Sequence, residues 1–200
     1  MGEHIQTLPS HRDDIAPWRQ ELSRRVVNAV NGLADWLLDH WLDTINWFLG
    51  TLLGLALLTP VLAYFGVEPL AGFLFRSFHS ICEQVPSHAL FLFGHQIALC
   101  SRNFSLYGSI WLGSMLFRFF KGRVKPLPWY LLVLFLLPMA LDGGTQLFGL
   151  RESTLFLRVV TGTLFGLGGC WFLLPFIQQA VDESRPETMT MYTQPTAQRP

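Results

Sequence analysis

Residues 159–181 make a run of 23 residues with no ionisable side chain except the thiol of Cys170. About 20 helical residues cross the ~30 Å hydrocarbon core of a bilayer, so a run of this length predicts a membrane span. Its upstream flank is polar: Asp142-Gly143-Gly144-Thr145-Gln146, then Arg151-Glu152-Ser153, with Arg158 at the helix entrance. Charge at the mouth of a span is expensive to dehydrate and marks either a site or a structural lock. Three further apolar segments precede it. Residues 47–65 are uncharged over 19 positions, with Pro60 near the end. Residues 103–117 extend to 120 because Arg118 can snorkel. Residues 126–141 form a short third span bent by Pro138. The chain is 50% hydrophobic and 14% charged, against about 25% charged in soluble domains.

The remaining segments set the organisation. Residues 1–16 are polar and read as disordered. Residues 17–43 read as an amphipathic interfacial helix, with Val26, Val27, Val30, Leu33, Leu37 and Trp41 at helical spacing against Arg24, Arg25, Asn28, Asp35 and Asp39. A soluble helix docked on the bundle or on a partner is the alternative. Residues 44–181 read as a transmembrane helical bundle, and 182–200 as a disordered tail. Residues 89–100 are apolar but too short to cross, and Gly94, His95 and Gln96 interrupt them. They read as a re-entrant segment, with a fifth span over 84–101 as the rival. The expected fold is thus an all-α integral membrane protein with about four transmembrane helices in one bundle, an N-terminal amphipathic helix and a re-entrant segment.

Charge sets the orientation. With the N-terminus inside, cytoplasmic segments hold ten Lys and Arg and the outer segments only Arg76, Arg102, Arg151 and Arg158. The expectation is a multi-pass protein of the cell (plasma) membrane with both termini cytoplasmic and its polar motifs on the outer face. No signal-peptide pattern precedes the first span, which then serves as its own insertion signal. A net charge of zero gives no general attraction for nucleic acid. Small residues at four-residue steps (Gly50/Gly54, Ser105/Ser109/Gly113, Gly162/Gly166) predict close helix contacts within the bundle.

Two constellations carry chemistry. His79-x2-Cys82-x12-His95-x4-Cys100 has spacing compatible with a tetrahedral zinc site, with a disulfide, buried thiols or a catalytic thiol as alternatives. Asp142 follows an apolar helix whose dipole disfavours a carboxylate there, so it should find a cation among Arg102, Arg151 and Arg158. Ser153 is placed to cap the last helix. Thr154, Arg158 and Thr161 then share one stripe, and an arginine one turn inside a span implies a carboxylate or a bound anion. Glu83 and Glu152 are isolated acid–base candidates.

The motifs Ile81-Cys82-x-Gln84, Leu92-Phe93-Gly94-His95-Gln96-x-Ala98-x-Cys100-x-Arg102, Pro138-Met139-Ala140-x-Asp142-Gly143-x-Thr145-Gln146, Gly149-x-Arg151-Glu152-Ser153 and Leu157-Arg158-x-x-Thr161-Gly162 resemble the bacterial integral membrane family grouped as domain of unknown function 2085. The likeness covers roughly residues 75–175. It implies a small multi-span membrane protein without an assigned activity. In the family's pattern His follows the first cysteine and Cys-x-x-Cys follows the gap, whereas Glu83 and Asn103 stand here. A metal site of family type would therefore lack two ligands. The leading functional expectation is an outer-face polar pocket for an anionic headgroup or small anion, contacted by Arg102, Arg151 and Arg158 and oriented by Asp142 and Gln146, with no resident cofactor. The alternatives are a thiol-disulfide or metal-dependent membrane enzyme using Cys82, His95 and Cys100, and an accessory subunit of a membrane complex. The expected partners are the lipid bilayer, an anionic lipid or small anion, and a membrane protein.

Overall fold

The computed structural model describes residues 16–120 and 123–184. The segments expected to be disordered, 1–16 and 182–200, lie outside the described residues except at their inner edges. The chain divides into two compact units, 1–41 and 42–200.

In the first unit the described residues belong to helix α1, Pro17–Tyr64, whose dihedrals leave the helical region at His40 (φ −113°, ψ 16°). Pro17 suits a helix start because the first N–H groups have no intrahelical acceptor. Glu21 pairs with Arg24 at 2.6 Å and Arg25 at 3.0 Å on the polar side. Near the break, the His40 ring stacks on Trp36 with centroids 5.0 Å apart. The apolar face read from the sequence is present, and Val26, Val27, Val30, Leu33 and Leu37 are all exposed on it.

In the second unit the rest of α1 is followed by α2, Glu68–Ser77, a hairpin of β1, Ala89–Leu92, and β2, His95–Cys100, then α3, Ser101–Phe120, α4, Trp129–Leu147, and α5, Leu155–Glu183. Pro60 inside α1 has no N–H to give to the carbonyl of Ala56; the Thr59 hydroxyl donates to that oxygen at 2.8 Å instead. The helix survives its proline for that reason.

The tightest packing joins α3 and α5. A Cβ at Gly162 would strike Ser105 Oγ and, at 2.5 Å, the Arg102 carbonyl. One at Gly166 would strike Ser109 Oγ and, at 2.6 Å, the Leu106 carbonyl. One at Gly113 would meet Cys170 Sγ at 2.8 Å. The three pairs advance together, so the helices run parallel with backbones in near contact. Ser105 and Ser109 turn their hydroxyls onto the Arg102 and Leu106 carbonyls of their own helix, which keeps the seam narrow and satisfied. On its other flank α3 meets α1 in antiparallel fashion. Trp111 Nε1 and Ser114 Oγ donate to the carbonyl and side-chain oxygens of Asn46, at 3.1 and 2.7 Å, and Arg118 pairs with Asp43. α4 packs on α5, where a Cβ at Gly168 would run into Phe135.

Several expectations need correction. The fold is mainly helical rather than all-α, because residues 89–100, expected as a re-entrant segment, form an antiparallel hairpin. Phe93 (φ 53°) and Gly94 (φ 79°) both take the left-handed conformation that a two-residue hairpin turn requires. Ile97, Ala98 and Leu99 are buried consecutively, so this half of β2 is covered on both faces and shows no alternation in sequence. Among the described residues three helices, α1, α4 and α5, are long and apolar enough to cross a membrane, and they coincide with three of the four expected spans. α3 has the length, but Arg102, Asn103, its serines and Arg118 lower its apolarity. The last helix is capped by Thr154, whose Oγ1 accepts from Leu157 N at 3.3 Å, not by Ser153. Finally, α5 continues through Glu183, so the first two residues of the expected tail are helical, with Gln178 donating to Asp182 at 2.7 Å.

The parallel seam generates a test. Gly166→Val should cost about 1–3 kcal/mol through overpacking, read as a lower Tm in detergent, whereas Gly169→Ala, with nothing within 4 Å of the added atom, should leave Tm unchanged.

Candidate functional site

The end of α4, the start of α5 and the start of α3 come together at one end of this unit. α4 stops in a reversal: Gly149 takes φ 67°, and Leu150 N and Gly149 N donate to the carbonyls of Thr145 and Gln146 at 2.9 and 3.0 Å. That turn sends Arg151 back over the helix it has just left. Asp142, 2% exposed, then receives three donors. Arg102 Nη2 reaches Oδ2 at 2.5 Å, Arg151 Nη2 reaches Oδ1 at 2.8 Å, and Ser153 Oγ donates to Oδ2 at 2.7 Å. Arg102 also extends to Gln146 Oε1 at 3.4 Å. Ser153 forgoes the capping role because its hydroxyl is committed to this carboxylate.

Of the five anion-site candidates, four form this network: Arg102, Asp142, Gln146 and Arg151. Arg158 does not join it. Its guanidinium is 4% exposed, its Nε donates to the Ser153 carbonyl at 3.4 Å, and its Nη2 has no hydrogen-bond partner. Among the described residues no carboxylate lies within ion-pairing distance of it. It lines instead a cavity of about 230 Å³ between α5 and the hairpin, shared with Cys82, Cys100, His88 and Glu83.

The hairpin end of this cavity is built by side-chain amides. Gln84 has φ 56°, a left-handed conformation that strains a non-glycine residue, and sits 8% exposed. Its Nε2 donates to the carbonyls of Phe75 at 2.5 Å and Ala98 at 3.0 Å, and its own carbonyl accepts from Gln96 Nε2 at 2.8 Å. Ser101 and Asn103 tie the start of α3 to the carbonyls of His88 and Ile81 at 2.9 and 3.1 Å. These bonds hold Cys82 beside Cys100, whose backbone N–H donates to Cys82 Sγ at 3.1 Å. The Cys100 thiol, donating to Cys82, holds the latter well below the ordinary thiol range, at about 6, against the opposing effect of burial. The same hydrogen bond, helped by burial, pushes Cys100 up. Burial, and secondarily the charge of Arg158, lowers His88, which favours its neutral form.

The four residues of the zinc-like spacing are not brought together. Cys82 and Cys100 are adjacent, His79 is exposed, and His95 lines a different cavity beside Glu68 and Thr59. Among the described residues no group of three or more His, Cys, Asp or Glu is placed to hold a metal. Glu83 and Glu152 are exposed. His88 was not legible as a site residue, because the contact that brings it to Cys100 and Arg158 is made across the hairpin and α5 and leaves no spacing signature.

Residues 82–172 match the family described as "Predicted membrane protein (DUF2085)", a stretch that begins at Cys82 and takes in both thiols and the whole Asp142 network. An uncharacterized protein of Methanocaldococcus jannaschii is 36% identical over 132 residues, covering 62% of this chain and 84% of that protein. The chain belongs to the DUF2085 family. An uncharacterized protein of Methanothermobacter thermautotrophicus is 33% identical over 96 residues, 46% of this chain and 82% of that protein. Both relatives are archaeal, so the description of the family as bacterial is not supported. No solved structure matches the chain.

The network makes unequal demands on its members. Asp142→Asn should cost about 3–5 kcal/mol, because it removes the one charge that neutralises the part-buried Arg102 and also unpairs Arg151. Arg151→Gln should cost about 1 kcal/mol or less, since Arg151 is 48% exposed. Thermal unfolding of the purified variants measures both.

Proposed function

We propose that this membrane protein of the DUF2085 family binds an anion, a lipid headgroup or a small solute, in the cavity between α5 and the hairpin, with Arg158 as the anchoring residue. The supporting observation is the buried Arg158 guanidinium, which lines a cavity, keeps Nη2 unbonded and makes no ion pair among the described residues. A buried cation that is not directly ion-paired is costly, and an anionic ligand bound to it reduces that cost. Arg102, Asp142, Gln146 and Arg151 then act as the frame that fixes the three helix ends, with Asp142 already neutralised. This narrows the expected pocket from three contacting arginines and two orienting residues to one charged contact and a supporting lock.

The reading includes a topology. α3 serves as a fourth span beside α1, α4 and α5, its charged ends snorkelling to the two interfaces. The cavity then opens on the outer face of the cell membrane and both termini are cytoplasmic, as the ten-to-four Lys and Arg asymmetry favours. The exposed apolar face of residues 17–41 lies in the lipid interface.

Two measurements test these statements. Inorganic phosphate or short-chain phosphatidylglycerol should raise the Tm of the wild-type protein and of Arg118→Ala in detergent, and should not raise that of Arg158→Ala. Response to the lipid alone assigns a headgroup, and response to both assigns a free-anion site; equal responses of the two variants remove the proposal. For topology, a membrane-impermeant maleimide applied to intact cells should label Leu147→Cys, which is 84% exposed in the wild type, and should not label Ser184→Cys. The reverse pattern inverts the orientation.

A further inference from the structure

The cavity that holds Arg158 also holds two thiols that the anion reading does not use. Cys82 is 8% exposed and Cys100 is partly exposed, and the backbone N–H of Cys100 points at Cys82 Sγ from 3.1 Å. Neither thiol is in a disulfide. The pair is positioned, not incidental: Gln84 reaches both the end of α2 and the Ala98 carbonyl, and Asn103 ties the segment before Cys82 to α3. Ile81 and Glu83 flank Cys82 and are exposed at the cavity wall, so the thiols lie at the base of an opening. Cys170 has none of this setting. It packs against Gly113 on the α3–α5 seam, away from the cavity.

We propose that Cys82 and Cys100 form a redox dithiol that exchanges with small disulfides, with Arg158 orienting those that carry a carboxylate. The orienting role rests on the anion-binding reading above; the dithiol does not. In the first step the Cys82 thiolate attacks one sulfur of the disulfide. A Cys82–substrate mixed disulfide forms, the substrate S–S bond breaks, and the first substrate thiolate leaves and takes up a proton. In the second step Cys100 gives up its proton and its sulfur attacks Cys82 Sγ. The intramolecular disulfide forms, and the second substrate thiolate leaves carrying the proton that Cys100 released. The dithiol loses two electrons and the substrate disulfide gains them, yielding two thiols.

The electrostatics favour Cys82 as the attacking group. The groups that face it are the Cys100 thiol, Glu83, His88 and Arg158, and the hydrogen bond from Cys100 outweighs burial and the Glu83 charge to lower it. Cys100, held protonated by the same bond, resolves the mixed disulfide only after Cys82 has given up its charge. At pH 5.5 a thiol titrating near 6 is about one-quarter ionised, and an ordinary thiol near 8.5 about one-thousandth. The lower basicity reduces intrinsic nucleophilicity by roughly tenfold, so a net advantage of about twentyfold remains.

The full-length protein in detergent, reduced and then freed of reductant, is treated with hydroxyethyl disulfide, a neutral probe, and with dithiodiglycolate, which carries two carboxylates. The wild type should lose two hydrogens in mass and yield a Cys82–Cys100 linked peptide with both probes. Cys100→Ser should accumulate a mixed disulfide on Cys82, and Cys82→Ser should react at least about tenfold more slowly at pH 5.5. Cys170→Ser should behave as wild type. Should a serine variant fail to fold, the wild-type peptide map alone decides the matter. If Cys82 and Cys100 both remain alkylatable after excess hydroxyethyl disulfide, or if Cys170 reacts instead, the dithiol is refuted. Arg158→Ala should abolish the preference for dithiodiglycolate over hydroxyethyl disulfide. A wild type that reacts equally with both probes overturns the orienting role of Arg158 while leaving the dithiol standing.

Discussion

The Asp142 carboxylate is where three separate pieces of chain are made to agree. It lies toward the C-terminal end of α4, the end that disfavours negative charge, and it is almost wholly buried. Only concentrated positive charge makes that position tolerable. Arg102 brings the start of α3, while Arg151 and Ser153 bring the connection into α5. The carboxylate therefore fixes where the helix ends sit, and the glycine seam between α3 and α5 extends that register downward through Gly162, Gly166 and Gly113. Remove the charge and the helices keep their apolar faces but lose what aligns them.

The cavity beside α5 follows from that alignment. With Asp142 already engaged by two arginines, Arg158 is left without an ion pair and shares its cavity with Glu83, the thiols of Cys82 and Cys100 and the ring of His88, from the hairpin and the segment before it. Beyond its short ladder, the hairpin is held by the side-chain amides of Gln84, which reaches the Ala98 carbonyl, and Gln96, which reaches the Gln84 carbonyl. A left-handed conformation at Gln84 persists because its side chain satisfies two carbonyls that no strand reaches. Strain, unpaired charge and adjacent thiols thus gather in one place, the arrangement expected of a binding or reactive site.

How much of this was readable beforehand depends on the range of the interaction. The apolar runs that became α1, α4 and α5, the need of Asp142 for arginine and the small-residue steps of α3 and α5 are local properties or simple charge logic, and each has a counterpart in the fold. The α3 steps were recognisable because Ser105, Ser109 and Gly113 repeat every helical turn. The hairpin was not, since half of β2 is buried on both faces and so shows no alternation. Ser153 was misjudged for a related reason: capping is a local preference, and a buried carboxylate eleven residues away outbid it. The histidine and cysteine spacing invited a four-ligand metal site, but His79 and His95 point to different surroundings.

From the order of residues alone came membrane residence, the family pattern, the inventory of charged groups at the helix mouths and the asymmetry of Lys and Arg, because composition and helical period survive without any partner. What the tertiary structure decided is which charges cancel. Four of the five anion-site candidates close on one another, and the fifth, Arg158, turns toward a pair of thiols. That division depends on angstrom-scale approach between α3, α4, α5 and the hairpin, where a hydrogen bond is either made or missing, and no spacing in the chain encodes such a distance.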